Sequence, residues 1–272
     1  MQTASRESLA TAVATLDGLA DRAPARALST TAEELLALSR LLAREPVLRR
    51  SLSDSAAPPE VRAELLDAVA GAGLGTLATE MVHGMVSARW SRAHDLMEAV
   101  ELLAVQALLA AAQSDKALDD VEDELFRFVR LVAGDTALRA VLSDAAAGVE
   151  RRQQLVEQLL AGKARPVTVA LAKMAVNGLG GRMFEPSLER LVELAAERRD
   201  REVAYVTAAA PLSAEQERRL ESALTRTYGR AVSLLVTVDP SILGGLTVRV
   251  RQELYDGSID RRLKQVHGDL VG

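Results

Sequence analysis

The chain lacks cysteine and has few aromatic residues, with one Trp, three Tyr and three Phe among 272 residues. Without cysteine, disulfide bonds and thiolate metal sites are excluded. No stretch reaches the ~18 apolar residues that a membrane-spanning helix needs, so we expect no direct insertion into a membrane. Lys and Arg number 33 against 38 Asp and Glu, and the two signs are mixed along the chain. A nucleic-acid-binding protein would concentrate basic residues on one face, so that class is disfavoured too.

The residues that are present favour a helical protein. Hydrophobic residues make up 49% of the chain, which is enough for a packed core. Because aromatic residues are scarce, that core must consist of Leu, Val and Ala, which suits helices in close contact. The length allows one to three domains.

Two parts of the chain repeat each other at a spacing of 90 residues. Arg40-Leu41 matches Arg130-Leu131, and Leu52-Ser53-Asp54 matches Leu142-Ser143-Asp144. Polar and apolar positions agree in one ungapped register, which chance rarely produces even in a chain rich in Ala and Leu. Self-similarity of this kind indicates a duplicated supersecondary unit.

Each copy has the apolar spacing of helices. In Glu33–Leu42, apolar residues recur on one helical face, and Pro46 and Pro58-Pro59 stand where helices begin. The pattern predicts six helices in the first copy, near residues 4–21, 30–44, 46–53, 58–71, 75–89 and 93–112. A second bundle of six helices lacks one helix within a 90-residue repeat. We therefore hypothesise that helix 93–112 closes the first bundle and also begins the second.

The last seventy residues follow a different pattern. Glu202–Ala209, Val232–Val238 and Leu246–Val250 read as strands, and Glu253–Asp256 as a fourth. Ser213 and Gln216 have the spacing of a capping box, which predicts a helix to Tyr228. A final helix is predicted after the Asp256-Gly257 turn. The expected fold is mainly α with a small α+β C-terminal domain: two tandem helical bundles followed by a β-α-β-β-β-α unit.

This C-terminal order resembles that of the delta subunit of F-type ATP synthase, the counterpart of the oligomycin-sensitivity-conferring protein. The matching motif residues are Gly244, Gly245, Asp256, Gly257, Ser258 and Leu263. The hairpin turn departs from the family, since Arg251-Gln252 stands where Gly-Asp is common. The resemblance is clearest over residues 113–272, and the first copy is an extra bundle. The implied domains are copy one at 1–112, copy two at 113–202 and a stalk-binding domain at 203–272.

The resemblance implies a stator subunit of the peripheral stalk, without catalytic activity or a cofactor, at the cytoplasmic face of the bacterial plasma membrane. Its helical domain would bind the N-terminal helix of an alpha subunit, and its C-terminal domain would bind the b subunits. In this family the alpha helix lies between the first and fifth helices of the bundle. The corresponding groove residues are Leu9, Val13, Leu16, Leu77, Met81 and Met85 in copy one, or Leu96, Val100, Leu103, Val167, Leu171 and Met174 in copy two. Which copy holds alpha stays open, and most of these residues are expected to be core.

Other motifs favour structural roles. Gly71–Gly75 lacks the Lys-Ser/Thr ending of a phosphate-binding loop and reads as a helix terminus. The run from Arg198 to Arg201 is mixed in sign, which predicts a solvated face. Trp90 fits either an anchor for a partner or packing at the bundle edge. The alternative function is a helical-repeat adaptor or regulatory scaffold unrelated to the synthase, which would have no need of the C-terminal β-α-β-β-β-α unit.

Overall fold

The computed structural model describes residues 2–144, 146–199, 201–229, 231–240, 242, 244–250 and 253–256. The chain folds into two compact units, Met1–Arg199 and Asp200–Gly272. The described part is mainly α with a small α+β unit at its C-terminal end, as the sequence predicted.

The first unit is helical. Its α-helices are α1 (Thr3–Ala20), α2 (Ala25–Arg44), α3 (Pro46–Ser53), α4 (Pro59–Ala70), α5 (Thr76–Ser87), α6 (Ala93–Ser114), α7 (Leu118–Gly134), α8 (Thr136–Ser143), α9 (Val149–Leu160), α10 (Pro166–Asn177) and α11 (Phe184–Arg199). Short 3-10 turns lie at Gly71–Gly73 and Leu179–Gly181. All six predicted helices of copy one are present.

Helix α6 is the central element of this unit. It packs against α1, α2 and α3 on one side and against α7, α10 and α11 on the other. Every residue from Leu103 to Ala112 is buried. Six of those ten positions are Ala or Val, and small side chains let neighbouring helices approach closely on all sides of α6. This arrangement supports our hypothesis that one helix serves both copies, while the three-domain division of the chain remains a proposal.

The 90-residue repeat is also visible in the structure, because both copies form the same hydrogen bond. In copy one, the Glu34 carboxylate accepts the backbone N–H of Gly75 at 3.0 Å. In copy two, the Glu124 carboxylate accepts the backbone N–H of Arg165 at 2.8 Å. Each accepted N–H lies at the start of the fifth helix of its copy, where backbone N–H groups have no partner within the helix. Each glutamate lies on the second helix of its copy and caps the fifth.

Buried arginines are repeated in the same way. Arg62 on α4 donates to the carbonyl oxygen of Ala88 at 3.1 Å, just past the end of α5. Arg152 on α9 donates to the carbonyl oxygen of Val176 at 3.2 Å, near the end of α10. Both arginines are nearly excluded from solvent. Each satisfies carbonyl groups at a helix end that lack an intrahelical partner.

A buried ion pair joins the first and last helices of the unit. Nη1 of Arg198 on α11 lies 2.8 Å from Oδ1 of Asp17 on α1, with side-chain exposures of 5% and 3%. The same guanidinium donates to Oε1 of Gln106 on α6 at 3.2 Å. The expectation of a solvated face is therefore wrong for Arg198, because Asp17 and Gln106 compensate its burial.

The second unit is a four-stranded sheet with one described helix. Its elements are β1 (Arg201–Ala208), α12 (Ala214–Tyr228), β2 (Ala231–Val238), β3 (Leu246–Val250) and β4 (Glu253–Asp256). The strand order is β2-β1-β3-β4, with β1 parallel to β2 and antiparallel to β3. The predicted final helix lies outside the described residues.

Local sequence signals account for the second unit. Ser213 and Gln216 form the predicted capping box at the start of α12, and Gly229 ends it in the left-handed conformation at φ 66°. Gly244 and Gly245 have φ values of 136° and 86°, which residues with a Cβ rarely adopt. A small core then forms around Val206, Leu224, Val232, Val248 and Val250.

Candidate partner-binding surfaces

The predicted groove residues of copy one lie where α1 and α5 pack together. Val13, Leu16, Met81 and Met85 are buried in the helical core. Leu9 and Leu77 are half-buried and accessible from solvent. The α1–α5 seam, defined by these six residues, thus has a hydrophobic interior and two reachable apolar positions.

Hydrogen bonds fix one end of the α1–α5 seam. The Ser5 hydroxyl donates to Oδ2 of Asp95 and accepts the backbone N–H of Ser91, both at 2.8 Å. Burial opposes ionisation of Asp95, but the hydrogen bonds from Ser5 and Arg92 outweigh it and lower the pKa of this carboxyl group. The Ser8 hydroxyl donates to the carbonyl oxygen of Arg89 at 2.7 Å. The start of α1 is therefore attached to the segment that joins α5 and α6.

Trp90 lies in that joining segment. Its side chain is buried, and the indole N–H donates to the carbonyl oxygen of Met85 at 2.7 Å. A buried and hydrogen-bonded indole matches the packing interpretation of Trp90. It does not present a surface to a partner in this conformation.

The predicted groove residues of copy two lie on α6 and α10. Leu96, Val100, Leu103 and Leu171 have no solvent exposure, and Met174 is 4% exposed. Only Val167 is half-buried among these six residues. The α6 side of this groove is closed, because copy one packs on α6.

A glutamate on α6 ties the two copies together near the end of α10. Oε2 of Glu101 accepts the backbone N–H of Gly180 at 2.7 Å. Burial raises the pKa of this carboxyl group, and the neighbouring Glu98 acts in the same direction. The contact joins α6 to the turn before α11.

An open groove lies between the two copies. It has a volume of about 650 Å³ and is lined from α2 by Leu36 and Arg40, and from α9 and α10 by residues that include Glu157, Val169 and Met174. Its walls combine aliphatic side chains with polar and charged ones. We call it the junction groove.

Two further observations bear on the kind of protein. Within the described residues, no cluster of three or more His, Asp or Glu residues is suited to hold a metal ion. In the same part of the chain, no helix combines the length and the apolar character needed to cross a membrane.

Apolar helix seams and an open groove are features typical of non-enzymatic proteins that bind other proteins. Comparison with known proteins identifies the family. The family model for the ATP synthase delta (OSCP) subunit matches residues 105–270. The ATP synthase subunit delta of Salinispora arenicola is 50% identical over 98% of this chain and 97% of its own length. That of Streptomyces griseus is 45% identical over the full length of both chains. The chain belongs to the ATP synthase delta (OSCP) subunit family, and it is a non-catalytic component of the peripheral stalk.

The extent of each match agrees with the duplication. The family model begins inside α6 and runs through copy two and the second unit. The relatives cover copy one as well, including the subunit delta of Salinispora tropica, which is 51% identical over 98% of this chain. The extra helices are therefore shared with these relatives. The alternative of an unrelated helical adaptor is excluded by the family assignment.

The family motif is only partly described. Gly244 and Gly245 form the bend before β3, and β4 ends at Asp256. Gly257, Ser258 and Leu263, together with the unusual Arg251-Gln252 turn, lie outside the described residues. The predicted order of strands is confirmed up to Asp256.

Proposed function

We propose that this chain links the catalytic head of the proton-translocating ATP synthase to its b subunits, at the cytoplasmic face of the bacterial plasma membrane. The helical unit binds the N-terminus of an alpha subunit, and the β-α-β unit binds b. The observation that carries the proposal is the division into two compact units in a member of the peripheral-stalk family. A linker requires two separate binding surfaces, and each unit has its own hydrophobic core.

The mechanical role determines how slowly the interfaces must dissociate. Rotation of the central shaft applies torque to the head, and the stator couples rotation to ATP synthesis by holding the head still. Interfaces that carry this load must dissociate slowly, and a helix docked in an apolar groove is one way to achieve this. No bond is made or broken by the subunit itself.

We further propose that copy one binds the alpha helix. The α1–α5 seam has two accessible apolar residues, Leu9 and Leu77, whereas Leu96 and Val100 on the α6 side of the copy-two groove are fully buried. A helix could contact α6 only by displacing part of copy one. In copy one, the first helix is α1, which is not shared with a second bundle.

A matched pair of substitutions tests this assignment. Leu77 and Val167 occupy equivalent positions of the repeat and are both half-buried. We expect Leu77→Asp to weaken binding of an alpha N-terminal peptide at least ~10-fold, because a carboxylate would be desolvated under the docked helix. Val167→Asp should leave the affinity unchanged. Isothermal titration calorimetry on both variants measures the difference.

The reverse pattern, with Val167→Asp weakening binding and Leu77→Asp neutral, would assign alpha to copy two. Circular dichroism of each variant provides the control for folding. Leu77 is expected to tolerate the change, since it lies outside the buried cluster of the helical core.

Removal of residues 244–272 tests the role of the second unit. This truncation deletes β3, which pairs along β1, and β4 beyond it. We expect binding of b to be abolished, because half of the four-stranded sheet is lost. The helical unit should keep its helical content and its melting temperature. Unchanged pull-down of b by the truncated chain would refute the assignment of b to this unit.

A further inference from the structure

The sheet of the second unit has two unlike edges, β4 on one side and β2 on the other. Edge strands can pair with other chains, and short length, charged residues or proline normally prevent this. Strand β4 has only four residues, of which Glu253 and Asp256 are acidic. Strand β2 has eight residues and contains no charged residue and no proline. The β2 edge therefore lacks the features that would keep another strand away.

Hydrogen bonds show which backbone groups of β2 point away from the sheet. The N–H of Asp239, directly after β2, donates to the carbonyl oxygen of Ala208 on β1 at 2.9 Å. Backbone groups face alternate sides along a strand, so the odd-numbered residues of β2 pair with β1 and the even-numbered ones point outward. The N–H of Val232 agrees, because it donates to Oγ1 of Thr225 on α12 at 3.3 Å. The other outward-facing residues are Leu234, Val236 and Val238.

We call the outward backbone groups of Leu234, Val236 and Val238 the open edge. Each residue has one N–H donor and one carbonyl acceptor. No described strand lies beyond β2, so the sheet itself gives these groups no partner. The side chains of Leu234 and Val236 pack on the small core of the unit, and Val238 is 43% exposed. The open edge can therefore accept an extended segment by main-chain hydrogen bonds without any change to the core.

Helix α12 places a positive charge beside the open edge. The bond from Val232 to Thr225 shows which side of α12 borders β2. Ser222 and Arg218 precede Thr225 by three and seven residues, so they lie on that same side. Because α12 joins two parallel strands it runs opposite to β2, and Arg218 lies roughly 10 Å back along the helix, level with the middle of β2. Arg218 is exposed and forms no ion pair with any described residue, so its charge is available to a partner.

We propose that an extended, acidic segment of a b subunit adds a fifth strand to the sheet along the open edge. Its backbone pairs with β2, and one of its carboxylates pairs with Arg218. A second copy of this chain fits less well. Pairing of two β2 strands about a two-fold axis would bring two α12 helices side by side and bury the exposed Arg218, Glu221 and Ser222 without an apolar seam. The inference rests on the proposed binding of b by the second unit.

Amide hydrogen exchange, followed by NMR on the full-length chain, tests strand addition directly. In the free chain, the N–H groups of Leu235 and Thr237 pair with β1 and should exchange slowly, whereas the three N–H groups of the open edge should exchange fast. Addition of the soluble part of the b subunit from the same organism should slow exchange at Leu234, Val236 and Val238 by at least ~10-fold. A helix docked on a face of the sheet would not produce this alternation.

Two pairs of substitutions test the same contact by affinity. Val238→Pro removes an outward N–H, which an edge strand tolerates, and should weaken binding of b about tenfold. Val238→Thr keeps the N–H and a similar shape, so it should bind b like the unmodified chain. Arg218→Glu should also weaken binding about tenfold, because it repels the acidic segment. Arg219→Glu is its control, since Arg219 lies on another side of α12 near Glu215 and should not affect binding.

Three outcomes would overturn the inference. Binding of b with unchanged exchange at the open edge would refute strand addition and leave the proposed function intact. Failure of the unmodified chain to bind b would refute both. Slow exchange at the open edge of the chain alone, increasing with its concentration, would assign this edge to self-association. Slow exchange at Leu235 in Val238→Pro shows that the sheet is intact, and Arg218→Glu tests the contact without any change in β2.

Discussion

Replacement of Asp17 by alanine is expected to lower the free energy of unfolding of the helical unit by about 3–5 kcal/mol. The substitution leaves the Arg198 guanidinium buried without its carboxylate, and only the Gln106 amide oxygen remains as a described acceptor at 3.2 Å. Desolvating an arginine without a compensating charge is costly, so the loss should exceed that of an ordinary surface pair. Urea denaturation followed by circular dichroism measures the change.

Two further variants separate a buried ion pair from simple packing. Asp67→Ala removes an exposed carboxylate that lies 2.7 Å from His83, and it should cost no more than about 1 kcal/mol. The double variant Asp17→Leu with Arg198→Met replaces both charges by apolar groups and should recover most of the lost stability. If Asp17→Ala lowers the free energy of unfolding no more than Asp67→Ala does, the Asp17–Arg198 pair does not stabilise the packing of α1 against α11.

The local features of this fold could be predicted because each has a short-range cause. Pro46 opens α3 and Ser213 with Gln216 opens α12, since each signal acts within one helical turn. The start of α2 was predicted too late, at residue 30, whereas the helix begins at Ala25. Ala25 to Leu28 are good helix formers, and burial of Leu28 and Thr31 carries the helix through Ser29 and Thr30, which favour helices less.

Long-range pairings could not be predicted from periodicity. Asp17 and Arg198 lie at opposite ends of the helical unit in sequence, and the mixed charges around Arg198 indicated a solvated surface instead. The candidate groove of copy two illustrates the same limit. Leu96 and Val100 have the spacing of a binding face, but their stripe is buried within the chain because α6 has neighbours on all sides.

Phe126 could have been assigned to the exposed side of α7 from the sequence, and it is 50% exposed. It follows Leu125, which faces the core together with Val121 and Phe128, so it falls outside the apolar stripe of α7. Alignment with copy one pairs it with Leu36, another apolar residue off the main stripe.

A fragment of residues 113–199 should have no stable tertiary structure, which is the largest effect that the helical architecture predicts. It contains α7 to α11 but lacks α6, against which α7, α10 and α11 pack. Leu96, Leu103 and Leu109 of α6 are fully buried. Burial of each such side chain contributes about 1.5–3 kcal/mol, and a whole domain is stable by only about 5–15 kcal/mol. Loss of α6 therefore removes most or all of the net stability.

The matched fragment of residues 93–199 restores α6 and should regain a cooperative unfolding transition, although its α6 exposes the surface that α1 and α2 normally cover. Residues 1–199 should unfold in a single transition, because α6 and the Asp17–Arg198 pair connect both copies. Thermal melts and proton–nitrogen NMR spectra of the three fragments measure this order. A dispersed spectrum for residues 113–199 would mean that copy two folds without α6, and that the two copies are separate domains. In that case, removal of copy one would uncover one surface of copy two but would leave the core of copy two complete.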